Sequence, residues 1–351
     1  MSETIRLNVN GRFYGGWTNV RVKLGIEHVA GSFDLSVSEK WPGQTDFRAL
    51  AIGDECRVFI GDTPIVTGYI DDVDPDYDKE SHIIHISGRD KTGDLVDCSA
   101  IHKSGEWHNA KLEKICQDIC TPFGIKVVVS VDTGKAFSRF AIHDGESAFE
   151  CLVRCTMMRG ILMISNGSGD LVLTRAGVDR ISTPLILGQN IERGSGRFTA
   201  KDRYSKYIVK GQSVAAGWDA TSTKHTSQKA VVEDTHITRY RPLIIIAEQG
   251  DGSTYKDRAI WERNVRYGRG GRVVYTVTGW RHATGLWLPN RLVKVTDAYM
   301  GLDEEQLIIG ATMVLDENGS RTDIEVCRKE AFELINLPDK RKHKVQENLK
   351  W

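Results

Sequence analysis

Asp90, Lys91, Thr92 and Gly93 stand together in the stretch ISGRDKTGDLVDCSA, residues 86–100. An aspartate placed directly after an apolar run, here HIIHIS, has the setting of a strand that delivers a nucleophile, and an aspartyl carboxylate can accept a phosphoryl group. Gly250-Asp251-Gly252 follows a second apolar run and offers the carboxylate that phosphohydrolases of this kind use to hold magnesium. Asp90 and Asp251 together would make a magnesium-dependent phosphohydrolase, and that is the enzyme reading of this chain.

The surroundings argue against it. Asp-Lys-Thr-Gly is the spelling of the phosphorylated aspartate in P-type ion pumps, but those carry Thr where Asp94 stands, and the magnesium loop wants Asp where Tyr255 stands. The longest apolar stretches, such as PLIIIA at 242–247, are far too short to span a bilayer, so a pump is excluded. The segments around Asp90 read as antiparallel hairpins, whereas a phosphohydrolase fold needs alternating strands and helices. Asp90 is therefore expected to be a turn residue, with Leu95 and Val96 packed behind it.

Other chemistry fares no better. Cys116 with Cys120, and Cys151 with Cys155, are pairs four apart that a helix would put on one face, but both lie on apolar faces where cysteine acts as a small buried residue. His82 and His85 sit three apart on a strand and point to opposite faces. GRGGR at 268–272 lacks the Lys-Ser/Thr of a phosphate loop and reads as a glycine hinge. Arg263, Arg266, Arg269, Arg272, Arg281 and Arg291 make this region locally basic, which leaves a phosphate-facing or nucleic-acid-facing surface as a further reading. No nucleophile–His–acid set has a supporting context. No metal or cofactor is expected.

The elements that hold these residues divide into three textures. Residues 1–98 read as short antiparallel strands in a barrel or sandwich. Asn10-Gly11 and Gly61-Asp62 mark hairpin turns, and Val20, Val22, Leu24 and Ile26, then Phe33, Leu35 and Val37, alternate with polar residues. Residues 99–190 mix helix and strand. One helix carries Leu112, Ile115, Cys116, Ile119 and Cys120 on a face with Asn109 as its cap; another at 146–159 carries Phe149, Leu152, Val153 and Thr156 and stops at Gly160. Residues 191–330 return to strands, with a loop and helix insertion at about 213–267, the helix ending at Gly268. Residues 331–351 form a basic tail in which Phe332, Leu334, Ile335, Leu337 and Trp351 are the apolar anchors.

The bulk numbers fit a structural role. The 351 residues carry 47 Lys plus Arg against 47 Asp plus Glu, so no global field favours nucleic acid or membrane. The seven scattered cysteines suggest no secretory disulfide framework, and the N-terminus has no signal-peptide pattern. A reducing compartment is expected.

Four stretches then carry a resemblance: GDECRVFIGDTPIVTGYIDDV, SGRDKTGDLVDCSA, GWRHATGLWLPNRLVKV and LIIGATMVLDENGSRTDIEVCRKEAFE. Their order, over about residues 5–335, resembles the baseplate hub, or late-control protein, of Mu-like contractile-tailed phages, a family related to the hub of the type VI secretion spike. The resemblance implies a mainly β chain with two related antiparallel β-barrels bracketing the mixed α/β region. It implies a homotrimeric ring of pseudo-sixfold symmetry joining the hexameric tail tube to the trimeric spike, beside other baseplate proteins, with DNA only as passing cargo. The location would be the virion tail, reached from the host cytoplasm, without membrane insertion. Some of Arg263, Arg266, Arg269 and Arg272 would face the channel or tube, and the tail anchors would dock on the spike.

Overall fold

The computed structural model describes residues 4–38, 50–79, 82–177, 179–211, 229–247 and 255–333. Seven strands come first: β1 (Ile5–Val9), β2 (Arg12–Tyr14), β3 (Asn19–Gly25), β4 (Ser32–Ser38), β5 (Glu55–Ile60), β6 (Thr63–Tyr77) and β7 (His82–Asp90). The Asn10-Gly11 turn forms as read, with φ of 51° and 81°, the left-handed pair such a two-residue hairpin requires. The alternating residues Val20, Val22, Phe33, Leu35 and Val37 are all buried in one core.

A short helix α1 (Gly93–Asp97) leads into the mixed region: β8 (Glu106–Ala110), α2 (Leu112–Cys120), β9 (Val127–Val129), β10 (Phe137–Ala141), α3 (Ala148–Met157), β11 (Leu162–Ser165) and β12 (Leu171–Thr174). Helix α2 is capped by Lys111, not Asn109, which sits within β8 at φ 48°. Helix α3 starts at Ser147, whose side chain accepts from the Glu150 N–H while Glu150 accepts in return. Its buried face is Ala148, Cys151, Leu152, Cys155 and Thr156; Phe149 and Val153 lie at the margin, because the small cysteines, not the larger residues, set the inward face.

Next come β13 (Asp179–Arg180), β14 (Leu185–Ile186), β15 (Arg193–Phe198), β16 (Lys206–Gly211), β17 (Lys229–Glu233), β18 (Pro242–Ala247) and helix α4 (Tyr255–Arg269). The last strands are β19 (Gly271–Thr278), β20 (Arg281–His282), β21 (Gly285–Leu286), β22 (Arg291–Asp297), β23 (Leu302–Asp316) and β24 (Gly319–Cys327). The insertion is more than a loop and helix. Strands β17 and β18 flank β16, one antiparallel and one parallel, and Ala259 of α4 packs on Tyr207 and Val209 of β16. Of the expected insertion at 213–267, residues 213–228 and 248–254 lie outside the described residues.

The chain is mainly β with a few helices. Among the described residues no sheet closes into a barrel. One continuous sheet runs β15-β19-β24-β23-β3-β4-β7-β6-β5-β1-β2, with β22 branching from β23, and among the described residues its path closes on neither side. The sheet nevertheless contains one unit twice. Strands β3-β4-β7-β6-β5 and β15-β19-β24-β23-β22 have the same chain order and the same spatial order. The registers agree too. Leu35 faces Ile86 where Tyr275 faces Ile324, and Cys56 faces Gly68 where Val293 faces Gln306. Strands β6 and β23 each bulge, after Ile70 and Ile308. Even the entry to the unit repeats: Gly53 N–H donates to Ile70 O, and Asn290 N–H to Ile308 O, both at 2.8 Å and both from a left-handed backbone. The units meet where β23 pairs with β3.

Candidate functional site: a buried aspartate and the junctions it serves

Asp90 lies at the end of β7 with 2% of its surface exposed. Its Oδ2 accepts from Gly31 N–H at 2.7 Å and from the Ser165 hydroxyl at 2.7 Å; its Oδ1 accepts from Thr67 N–H at 3.2 Å. Burial pushes its pKa up to about 6, against the pull of those three donors. A phosphoryl acceptor needs an open face for its substrate, and Asp90 has none. Lys91 turns away to Glu55 at 2.9 Å, and Thr92, fully buried, donates to Val29 O at 3.0 Å. Asp251 lies outside the described residues. The phosphohydrolase reading fails at Asp90 itself.

What Asp90 does is join two cores. Gly31 and Thr67 belong to the first unit of the sheet, and Ser165 to β11 of the mixed region. Beside it, the Thr67 hydroxyl donates to Gly167 O at 2.7 Å, and the hairpin tip at Gly167 presses so close to β6 that a Cβ there would stand 2.1 Å from Pro64 O. Asn290 makes a similar joint on the other side. It accepts from Gly177 N–H at 2.9 Å and donates to Arg175 O at 3.0 Å. Trp280 is the third joint. It arises just after β19, yet it is buried in the core of the first unit and donates to Val314 O at 3.1 Å. Its near neighbour Trp287 packs in the core of the second unit. Sequence reasoning singled out these segments without seeing that each bridges cores far apart in the chain.

The four paired cysteines lie in the mixed core among Leu112, Leu152 and Leu171. The hydrogen bond with the neighbouring Cys155 thiol, then burial, hold the Cys116 thiol protonated, and burial does the same for Cys120 and Cys151. His85 pairs with the Ser36 hydroxyl, and His82 stacks on Tyr77. Gly268 does not end α4. Its bare Cα lets the helix approach Ala331, whose N would lie 2.6 Å from an added Cβ.

Arg266 pairs with Glu262 at 3.2 Å, and Arg272 with Glu27 and Glu325. Arg263 donates to the Asn264 side chain. Arg269 lies near enough to Glu27 to help lower its pKa. Phe332 is buried against Leu307 and Ala331, and the Trp261 indole donates to Glu333 O at 2.5 Å beside a cleft of about 400 Å³. Leu334, Ile335, Leu337 and Trp351 lie outside the described residues.

Residues 4–90 match the Mu phage baseplate assembly protein GpP-like N-terminal family, 92–175 the baseplate hub protein gp44-like second domain, and 252–335 the GpP fourth domain. The baseplate hub protein gp44 of Escherichia phage Mu is 36% identical over 356 residues, covering 98% of this chain and 92% of its own. The chain belongs to the Mu baseplate hub family. A 43 kDa tail protein of prophage MuSo2 from Shewanella oneidensis superposes with a TM-score of 0.83 at 39% identity, over 95% of this chain and all of that one. An E. coli component of the type VI secretion system shares the fold alone, with a TM-score of 0.55 at 9% identity over 95% of this chain and 80% of its own. This member of the hub family is accordingly a structural protein of the phage tail baseplate and not an enzyme, as the absence of a catalytic context around Asp90 led one to expect.

Proposed function

We propose that three copies of this chain form the hub ring, whose six like sheet units face the hexameric tail tube while its three chains match the trimeric spike. The observation that carries this reading is the repeated five-strand unit. A chain with two equivalent units gives six in a trimer, so one ring can meet a sixfold partner on one face and a threefold partner on the other. In this reading each unit, with its flanking strands, is one of two related barrel-like modules. The first lies in 1–98, a mixed domain in 99–190 follows, and the second lies in 191–330. The insertion at about 213–267 recruits β16 and forms a small body of its own, and 331–351 is a tail.

Arg263 and Arg269, which hold no carboxylate among the described residues, are the best placed of the four arginines to meet the tube or the channel. Arg266 and Arg272 are engaged inside the chain. Phe332 serves as the fixed root of the tail, so spike docking would fall to the residues after 333. Assembly would take place in the host cytoplasm. Size-exclusion chromatography with light scattering tests the reading: a particle of three times the 39.3 kDa chain mass is expected. A stable monomer or dimer at micromolar concentration would overturn it.

A further inference from the structure

The repeat makes a sharper statement than trimer formation. Within the chain, the far half of β23 does not end at an open edge. Gly310–Leu315 pairs antiparallel with Gly25–Val20 of β3, so the fourth strand of the second unit adds to the first strand of the first. Among the described residues the corresponding edges on the other side carry no strand. The near half of β6 is taken by β5, as the near half of β23 is by β22. Past its bulge, β6 has no partner on that edge among the described residues, and Asp72–Tyr77 is exposed apart from half-buried Val73. Strand β15, the counterpart of β3, ends the sheet, and all six of its residues are exposed.

We infer that β15 of one copy adds to the far half of β6 of the next, in the register that β3 keeps on β23. Transferring that register through the repeat sets Asp74 opposite Arg197, Tyr77 opposite Gly194 and Val73 opposite Phe198. The chemistry of the two edges agrees with this pairing. The β6 edge and its exit carry Asp71, Asp72, Asp74 and Asp76, while β15 carries Arg193 and Arg197, and no ion pair occupies Asp74 or Arg197 among the described residues. Opposite charges placed across a contact fix its register and reject the wrong partner. Tyr77 is 74% and Phe198 57% exposed, a large apolar surface for a free edge to leave in water. Tyr77 faces a glycine, which leaves room for its ring. Pro75 has no N–H to offer and removes at most one rung. Unprotected edges of this kind are templates for strand addition. The contact is head-to-tail, so it generates a ring if it closes. The occupant is therefore a second copy of this chain. The inference rests on the trimer reading but can fail apart from it.

The test is a cysteine pair. Asp74 and Arg197 are exposed, so replacing them leaves the core intact, and Cys98 is the one native cysteine that is exposed. In a Cys98→Ser background, D74C/R197C should oxidise to covalent dimers and trimers that stop at three, while either single variant and the offset pair D74C/R193C should stay uncrosslinked. As a second measurement, D74R should raise the concentration at which the trimer dissociates by about tenfold or more, and D74R/R197D should restore it. A trimer by light scattering that forms no 74–197 link, and that D74R leaves unchanged, overturns the strand pairing and leaves the trimer reading standing. Links that extend beyond three chains support the pairing and overturn the closed ring. A monomer that forms no link overturns both.

Discussion

Arg272 grips Glu27 with two parallel bonds, 2.7 Å and 2.6 Å, across a sequence separation of 245 residues. Glu27 follows β3 and Arg272 opens β19, so the pair ties the first strand of one unit to the second strand of the other. Arg272 also reaches Glu325 at 3.3 Å. Such a fork suits arginine and not lysine.

Both partners are about one-third exposed, so solvent screens the pair, and Arg272→Ala should cost about 1 kcal/mol at neutral pH. Arg272→Lys should recover only part of it. The hydrogen bonds from Arg272 hold the Glu27 carboxyl below its ordinary value of 4.5. A lowered folded pKa gives stability that is present above the unfolded pKa and lost as pH falls through the folded one. The gap between wild type and Arg272→Ala should thus be full at pH 7 and close below about pH 4. Urea unfolding at both pH values measures it.

The elements of this fold were legible where the signal is local. Asn10-Gly11 and Gly61-Asp62 each turn a hairpin, because such a turn needs left-handed backbone, which both Asn10 and Gly11 supply in the first and Gly61 in the second. The alternation through Val20, Val22 and Leu24 and through Phe33–Val37 marked core-facing strands correctly, while Ile26 lies past the strand and packs in another cluster. The repeat was not legible. Its equivalent positions hold different residues, Phe33 against Val273 and Leu35 against Tyr275, because the two cores ask only for an apolar side chain at the inward place. The pairing of β23 with β3 was hidden for another reason: no local pattern announces a contact between the two ends of a chain. The parallel addition of β18 to β16 was missed in the same way, and the excursion between them masked it. At Asp90, the residue types were read as a turn leaving a strand, which is where it sits. Its role as a shared acceptor for three donors depends on Gly31 and Ser165, which nothing in the sequence connects to it.

Asp90 itself should betray its burial through pH. Its folded pKa, about 6, lies above the ordinary 3.8, so the folded protein binds the extra proton between those values. Stability then falls as pH rises through that window, by up to roughly 3 kcal/mol. Asp90→Asn removes the titration and should flatten that part of the curve. It cannot serve all three donors, since its amide must turn an N–H toward Gly31 or Thr67. Asp90→Ala leaves both backbone N–H groups buried without an acceptor and should cost about 3 kcal/mol in unfolding experiments at pH 5. Wild-type stability that is flat between pH 4 and 6.5 would contradict this account of the site.

Trp280 offers the most direct test of how the units are held together. It leaves the second unit at Gly279, whose φ of 73° turns the chain, and buries its ring among first-unit residues such as Val20, Val22 and Trp17. The indole N–H donates to Val314 O, on the stretch of β23 that pairs with β3. One side chain thus fills the first core and fastens the strand junction between the units. Trp280→Ala should cost about 3–5 kcal/mol, from a lost aromatic and the cavity left in a packed core. Trp280→Phe keeps most of the volume and loses the hydrogen bond, so it should cost about 1–2 kcal/mol. If the units unfold as one body, both variants shift a single urea transition. If the junction is the weak point, Trp280→Ala should split the transition in two, and tryptophan fluorescence should then report an early step that circular dichroism of the strands does not. A Trp280→Ala protein as stable as wild type would show that the ring is a surface cover and not the fastener described here.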